Sequence, residues 1–417
     1  MKPRAILHAS QLVTLAGPKR PRVGAELSAL GIIEDGGMLV RDGVIVATGS
    51  SDQIARDLPN DIEVIEAHGR VVLPGFVDAH AHPVFGGTRV DEFEMRARGA
   101  TYEEIAASGG GIRSTVRKTR AASEAELLAQ AQKRVQWFLR SGTTTMEAKS
   151  GYGLSLEEEL KILRVIRQLN ETSALEFVPT FLGAHAIPEE FADAPEQYVT
   201  LVIDEMLPTV AEQGLAEYCD IFCERGYFDL ADSEKILKAA QSHGLRLRMH
   251  VDQLTNSGGA FLAARIGAAT ADHLEQTNEA EIAALAEAGV QPVLLPASVY
   301  ALGKTRYPKA RAMIDAGLAV VLGTDFNPGS SPTPSIPMVL SLACTQMKMT
   351  PAEGITASTI NAAYSLNRGE RIGSLEAGKA GNFTVFDCAD YREIAYWFGT
   401  PLVHSVYVEG ECVCSAR

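Results

Sequence analysis

Between Val71 and Met347 the sequence repeats one local pattern eight times: a short apolar run closing on or near a polar residue, a loop, and then, in most cases, an amphipathic helical stretch. The apolar runs read as strands ending near His82, Lys149, His185, Cys223, His250, His273, Ala297 and Asp325. Helical patterns lie between or after them, at Ser123–Arg140, Ser155–Asn170, Tyr198–Glu212, Asp232–Ser242, Gly259–Ile266, Asn278–Ala288, Pro308–Ala316 and Ile336–Met347. Ser123 with Glu126, Ser155 with Glu158 and Asn278 with Glu281 have the spacing of capping boxes, which fix helix starts. Gly214, Gly244 and Gly289 suit the opposite ends. Strand and helix alternating eight times predict an α/β protein built on a (β/α)8 TIM-type barrel. No sequence repeat accompanies the pattern.

The two ends of the chain read differently. Gly37–Gly49 has the form of a hairpin turning at Asp42-Gly43, and Asp61–Ala67 alternates like a half-buried strand. Gly381–Asp387 and Val403–Gly410 alternate again, with Glu409-Gly410 as a turn. Residues 1–70 and 366–417 are therefore expected to form one composite β-sandwich domain beside a barrel of residues 71–365. His8 and His68 fall in that β-domain and read as structural or exposed.

A net charge of −14, with no basic run, argues against nucleic acid and anionic membranes as partners. No apolar run reaches the ~18 residues that span a bilayer, and the first residues lack a signal-peptide core. A cytoplasmic protein is expected. The six cysteines include no C-x-x-C pair and read as small buried hydrophobes in a reducing compartment.

In a parallel barrel the reactive groups stand at the C-terminal ends of strands. His80 and His82, one residue apart at the end of the first barrel strand, point the same way. His250 closes the fifth strand and Asp325 the eighth. Alone, His250 would more often be a hydrogen-bonded core histidine, and Asp325 a helix cap before Pro328. Together, three imidazoles and a carboxylate at strand ends predict a site for one divalent metal ion, Zn or Fe, with room for water. His273, closing the sixth strand, is either a further ligand or a donor polarising a substrate carbonyl.

Pro74–His82, the later histidines and Gly323-Thr-Asp325 resemble the amidohydrolase superfamily of metal-dependent hydrolases. The fourth strand, read within Tyr218–Gly226, has no lysine to bridge two metals, so the resemblance implies a single ion. Within the superfamily the chain is most similar, over nearly its whole length, to the imidazolonepropionase family. The segments that carry this are His82–Arg89, Ser108–Ile112, Lys149–Gly153, Phe181–His185 and Thr324–Ser330. The resemblance implies hydrolytic opening of 4-imidazolone-5-propanoate to N-formimidoyl-L-glutamate, in histidine degradation, by a homodimer.

That substrate gives work to residues a metal does not need. Its propanoate requires a cation, and Arg89 can grip a carboxylate through two parallel hydrogen bonds. Tyr152 and His185, and the backbone amides and short side chains of Asn327, Gly329 and Ser330, resemble the family's other substrate contacts. Where members of the family can carry a glutamate, this chain has Gln253, which is no general base. Proton handling then falls to Asp325, helped by His273, after a metal-activated water attacks the ring carbonyl. Asp252 is expected to face away. The rival readings are an aminohydrolase of the same fold, releasing ammonia from a cytosine- or guanine-like ring, and a metal-free scaffold.

Overall fold

A computed structural model describes residues 2–56, 58, 62–100, 104 and 109–415. Two eight-stranded sheets organise it. The first gathers the chain ends: β1 (Arg4–Val13), β2 (Ile32–Arg41), β3 (Val44–Ser50), β4 (Glu63–Glu66) and β5 (Val71–Pro74). The second is parallel: β6 (Phe76–Asp78), β7 (Thr143–Lys149), β8 (Glu176–Ala184), β9 (Tyr218–Cys223), β10 (Arg246–Val251), β11 (Thr270–His273), β12 (Gln291–Leu294) and β13 (Val321–Leu322). The chain then returns to the first sheet with β14 (Phe383–Phe386), β15 (Val403–Val408) and β16 (Glu411–Ser415).

The parallel strands follow one another around the expected barrel, each hydrogen-bonded to the next. Past the ends of β6 and β13 a parallel bridge between Ala81 and Phe326 brings the ring nearly to closure. The Asp325 amide donates to the His80 carbonyl (2.9 Å), and the His82 amide to the Phe326 carbonyl (2.8 Å). The seam of the barrel is therefore stitched by three of the predicted site residues. Val77, Val178, Tyr218, Val293 and Val321 fill the barrel floor.

The strand expected to run unbroken from Val71 to His82 is divided. β5 pairs with β1 and β14 in the mixed sheet, and β6 pairs with β7 in the barrel. Gly75 is the switch between them: a Cβ there would stand 2.3 Å from the Thr144 side chain, so only glycine lets the two strands pass. The strands of the β-domain join in one continuous mixed sheet whose two arms bury Ile6, Leu12, Met38, Val72, Phe383 and Val385 together. Asp42 and Gly43, both at positive φ, make its tight turn. Asp61, at the start of one predicted strand, lies outside the described residues, as does Ser108.

All eight predicted helical segments are helical at their centres. Ser123 and Asn278 form their capping boxes. Ser155 holds the N-cap position without a side-chain bond; the buried Glu159 instead takes the amides of the loop before it. The segment from Pro195 to Glu212 crosses Pro208 through a π-helical turn, Val202–Met206, which absorbs the missing N–H. Near the seventh strand the expected extension to Ala297 is a helix, Pro296–Ala301. Two further helices, Val90–Ala97 and Ile112–Ala121, lie on the connection from β6 to β7. Their mostly polar sequences gave no apolar stripe to read.

Candidate active site

At the C-terminal mouth of the barrel a cavity of about 520 Å³ is walled by His82, His185, His250, His273 and Asp325 and, on the loops, by Arg89, Tyr152, Gln253, Asn327, Gly329 and Ser330. His80 lies beneath it, fully buried. All the predicted site residues are thus brought together. Phe222, Tyr227, Leu254 and Ile112 add apolar surface to the wall.

At the floor, donor atoms of His80, His82 and Asp325 lie within 4.8 Å of one another, and so do those of His80, His250 and His273. His80 Nε2 is 3.6 Å from Asp325 Oδ1, and His82 Nε2 is 3.8 Å from it. His80 Nε2 and His250 Nε2 are buried without a hydrogen-bond partner among the described residues. Unpaired buried imidazole nitrogens are costly, and a divalent cation satisfies them with Asp325 as the anionic ligand. The donor set fits one such ion. Burial pushes His80 and His82 well below the ordinary histidine value and His250 down to about 4, so all three are neutral donors. Burial raises the Asp325 carboxyl to about 6.

Beneath the imidazoles lies a charged layer that the sequence reading did not pick out. His80 Nδ1 is 2.6 Å from Asp272 Oδ2, and His250 Nδ1 is 3.0 Å from Asp220 Oδ2. Lys149 Nζ sits between Glu147 (2.8 Å) and Asp220 (2.5 Å), and Arg248 Nε is 2.9 Å from Glu147. None of these five side chains touches solvent. Burial works against the Lys149 ammonium, yet Asp220 and Glu147 raise its pKa. Burial likewise opposes the Asp220 carboxylate, but His250 and Lys149 hold it well below the usual range. Lys149 thus serves as a resident counter-cation within the acidic layer.

His273 and Asp325 are both held at positive φ, 79° and 52°, a strained placement for residues other than glycine. His273 Nδ1 faces Glu275 Oε1 at 3.3 Å. Burial lowers its pKa, but Glu275, Asp325 and Asp272 outweigh that and raise it. His185 Nδ1 is 2.9 Å from the Gly151 carbonyl, which can only accept, so the proton sits on Nδ1 and Nε2 is an acceptor. Burial brings His185 down to about 4.

The loop after β13 differs from expectation in one respect. The amides of Gly329 and Ser330 are not free: both donate to Asn327 Oδ1 at 2.8 Å, and Asn327 Nδ2 donates to the Asp325 carbonyl and to Ser330 Oγ. Arg89 lies across this turn, its Nε and Nη2 already held by Glu92 Oε2 at 2.9 and 2.7 Å. Asp252 faces away, as expected, accepting from the Ser257 amide (3.1 Å).

Residues 71–413 match the model of the amidohydrolase family. An imidazolonepropionase from Solibacter usitatus is 64% identical over 413 residues, covering 99% of each chain. One from Brevibacillus brevis is 48% identical over 416 residues, 99% of this chain and 98% of its own. An adenosine deaminase from Xanthomonas campestris, solved with bound zinc, superposes with a TM-score of 0.73 at 19% identity, over 98% of this chain and 92% of its own, and shares the fold. The chain belongs to the amidohydrolase family and, within it, to the imidazolonepropionases.

Proposed function

We propose that this protein hydrolyses 4-imidazolone-5-propanoate to N-formimidoyl-L-glutamate, a step of histidine degradation, at the barrel mouth. The observation that carries this reading is the pair of orphaned nitrogens, His80 Nε2 and His250 Nε2, the first 3.6 Å from Asp325 Oδ1, at a cavity whose wall holds Arg89. His80, His82, His250 and Asp325 would hold one divalent ion. Bound there, it supplies Lewis-acid activation of water. Zinc suits the donor set and is what the related adenosine deaminase holds; iron is the alternative.

The chain's own groups do the rest. Asp325 takes the proton of the attacking water and delivers it to the departing ring nitrogen. With one proton directed at Glu275, His273 can donate from Nε2 as an imidazolium, and Glu275 favours that form. The His185 acceptor and Gln253 hold ring N–H and carbonyl groups. Tyr152, packed against His82 and His185, closes one wall. Arg89 offers its remaining edge to the propanoate, and the Asn327–Ser330 turn supports it. Residues 71–365 act as the catalytic unit, 1–70 and 366–417 as a composite β-domain. The protein works as a cytoplasmic homodimer; no helix among the described residues is long and apolar enough to cross a membrane.

The test is turnover of freshly prepared imidazolone propanoate, followed by loss of its absorbance, with and without chelator. Loss that needs metal and releases no ammonia supports the reading. Ammonia release from a purine or pyrimidine instead, or turnover indifferent to complete metal removal, would sink it.

A further inference from the structure

The propanoate cation of the proposed reaction is, on its face, Arg89. Its charge, however, is already spoken for. Glu92, buried on the same helix, takes Arg89 Nε and Nη2 through one oxygen and the Gly111 amide (3.1 Å) through the other. The Arg89–Glu92 pair is neutral as a unit. A second carboxylate brought to Arg89 would stand close to Glu92, and like charges at such range repel.

One turn further along the Val90–Ala97 helix, Arg96 also lines the cavity. Its Nη2 donates to the Gly329 carbonyl (3.2 Å), so both guanidinium groups gather on the Asn327–Ser330 turn. Arg96 makes no ion pair among the described residues. Burial and then Arg89 lower its pKa; the one group that raises it is Glu92, whose carboxylate is already paired with Arg89. The other cavity cation, Lys304, is exposed on the loop after β12. An unbalanced, partly desolvated guanidinium beside a neutralised one is a built-in demand for an anion.

We propose that Arg96 is the specificity residue that makes this site prefer a carboxylate-bearing substrate, with Arg89, clamped by Glu92, fixing the carboxylate's orientation. The proposal rests on the reaction proposed above, but its test does not need turnover.

The probes are imidazole propanoate and its neutral amide, imidazole propanamide, titrated calorimetrically into the metal-loaded protein. Wild type should hold the acid more tightly. Arg96→Met should weaken the acid about tenfold, the scale of one charge-assisted contact, and leave the amide within about twofold. Arg96→Lys should recover most of the acid's affinity, because it restores charge without the planar fork. With substrate, Arg96→Met should raise KM while kcat stays within about twofold. Equal losses for acid and amide, or no rescue by lysine, would mean that Arg96 merely props the turn, and the proposal fails. It also fails if wild type holds the two probes equally. A wild type that prefers the acid yet never opens the imidazolone ring would overturn the reaction instead.

Discussion

Asp272 Oδ2 lies 2.6 Å from Nδ1 of His80, and neither side chain reaches solvent. The carboxylate fixes the proton on Nδ1 and so leaves the Nε2 lone pair facing Asp325. Asp272 also lies 3.7 Å from Lys149 and 3.5 Å from Arg248. Asp272→Asn keeps the shape and removes the charge. Metal affinity should fall about 10- to 100-fold, the usual cost of losing a partner behind a ligand, as read by competition with a chelator while circular dichroism shows the fold retained. Unchanged affinity would mean that the pair orients nothing.

Asp325 is asked both to bind and to carry a proton. Its φ of 52° is one that asparagine tolerates, so Asp325→Asn should fold. Turnover should drop about 10²- to 10⁴-fold, the range for a lost proton carrier, with imidazole propanoate bound within a few-fold of wild type. Metal analysis of the same sample separates a lost ion from a lost base. Activity that survives with metal in place would refute the proton route.

How much of this was legible beforehand depends on the face of each strand. Barrel strands alternate, and in β10 Leu247 and Met249 turn toward the helices while Arg248 and His250 turn inward. In β7, Glu147 and Lys149 share the inward face, opposite Met146 and Ala148. The charged layer was therefore present as a period-two pattern. The pattern alone does not mark it, because a barrel interior is ordinarily apolar, and because the pairing of Lys149 with Asp220 spans 71 residues that no local rule joins. The break at Gly75 was hidden for a different reason: strands of two sheets in series look like one long strand until the partner strands are known. Arg89 was found from its motif, whereas Glu92, which occupies one of its edges, had only an i,i+3 spacing to signal it.

Gly329 is glycine because Arg89 lies on it. A Cβ would come within 1.9 Å of Arg89 Nη1 and 2.5 Å of Cζ, although the backbone there needs no positive φ. Gly329→Ala should thus fold normally, with Tm within about 2 °C of wild type, and push the guanidinium off its seat. KM should rise about tenfold with little change in kcat. If KM holds, Arg89 does not use this seat to meet the substrate.

Glu159 gathers the loop that carries Tyr152: Oε2 accepts from the Gly151 amide (3.0 Å), and Oε1 from those of Gly153 (2.7 Å) and Leu154 (2.8 Å). Glutamine can serve one side only, since its NH2 group would face another N–H. Glu159→Gln should shift Gly151, whose carbonyl positions His185, and so weaken substrate binding as well as lower Tm. A normal KM in a destabilised variant would confine Glu159 to a structural role.

His185 gives a pH signature with a definite sign. Burial lowers its folded pKa to about 4, below the value of about 6.5 expected in the unfolded chain. Above that unfolded value both states are neutral and its contribution is fully present. As pH falls toward 4 the unfolded chain takes up a proton that the folded protein refuses, and stability is lost across that window. The contribution of this one residue is read by comparing urea midpoints of wild type and His185→Gln at several pH values from 8 to 4. The variant should lose stability less steeply on acidification, and the two curves should run parallel above pH 7. Parallel curves throughout would show that His185 titrates alike in the folded and unfolded chain, and the burial argued to keep it a neutral acceptor toward the substrate ring would be refuted.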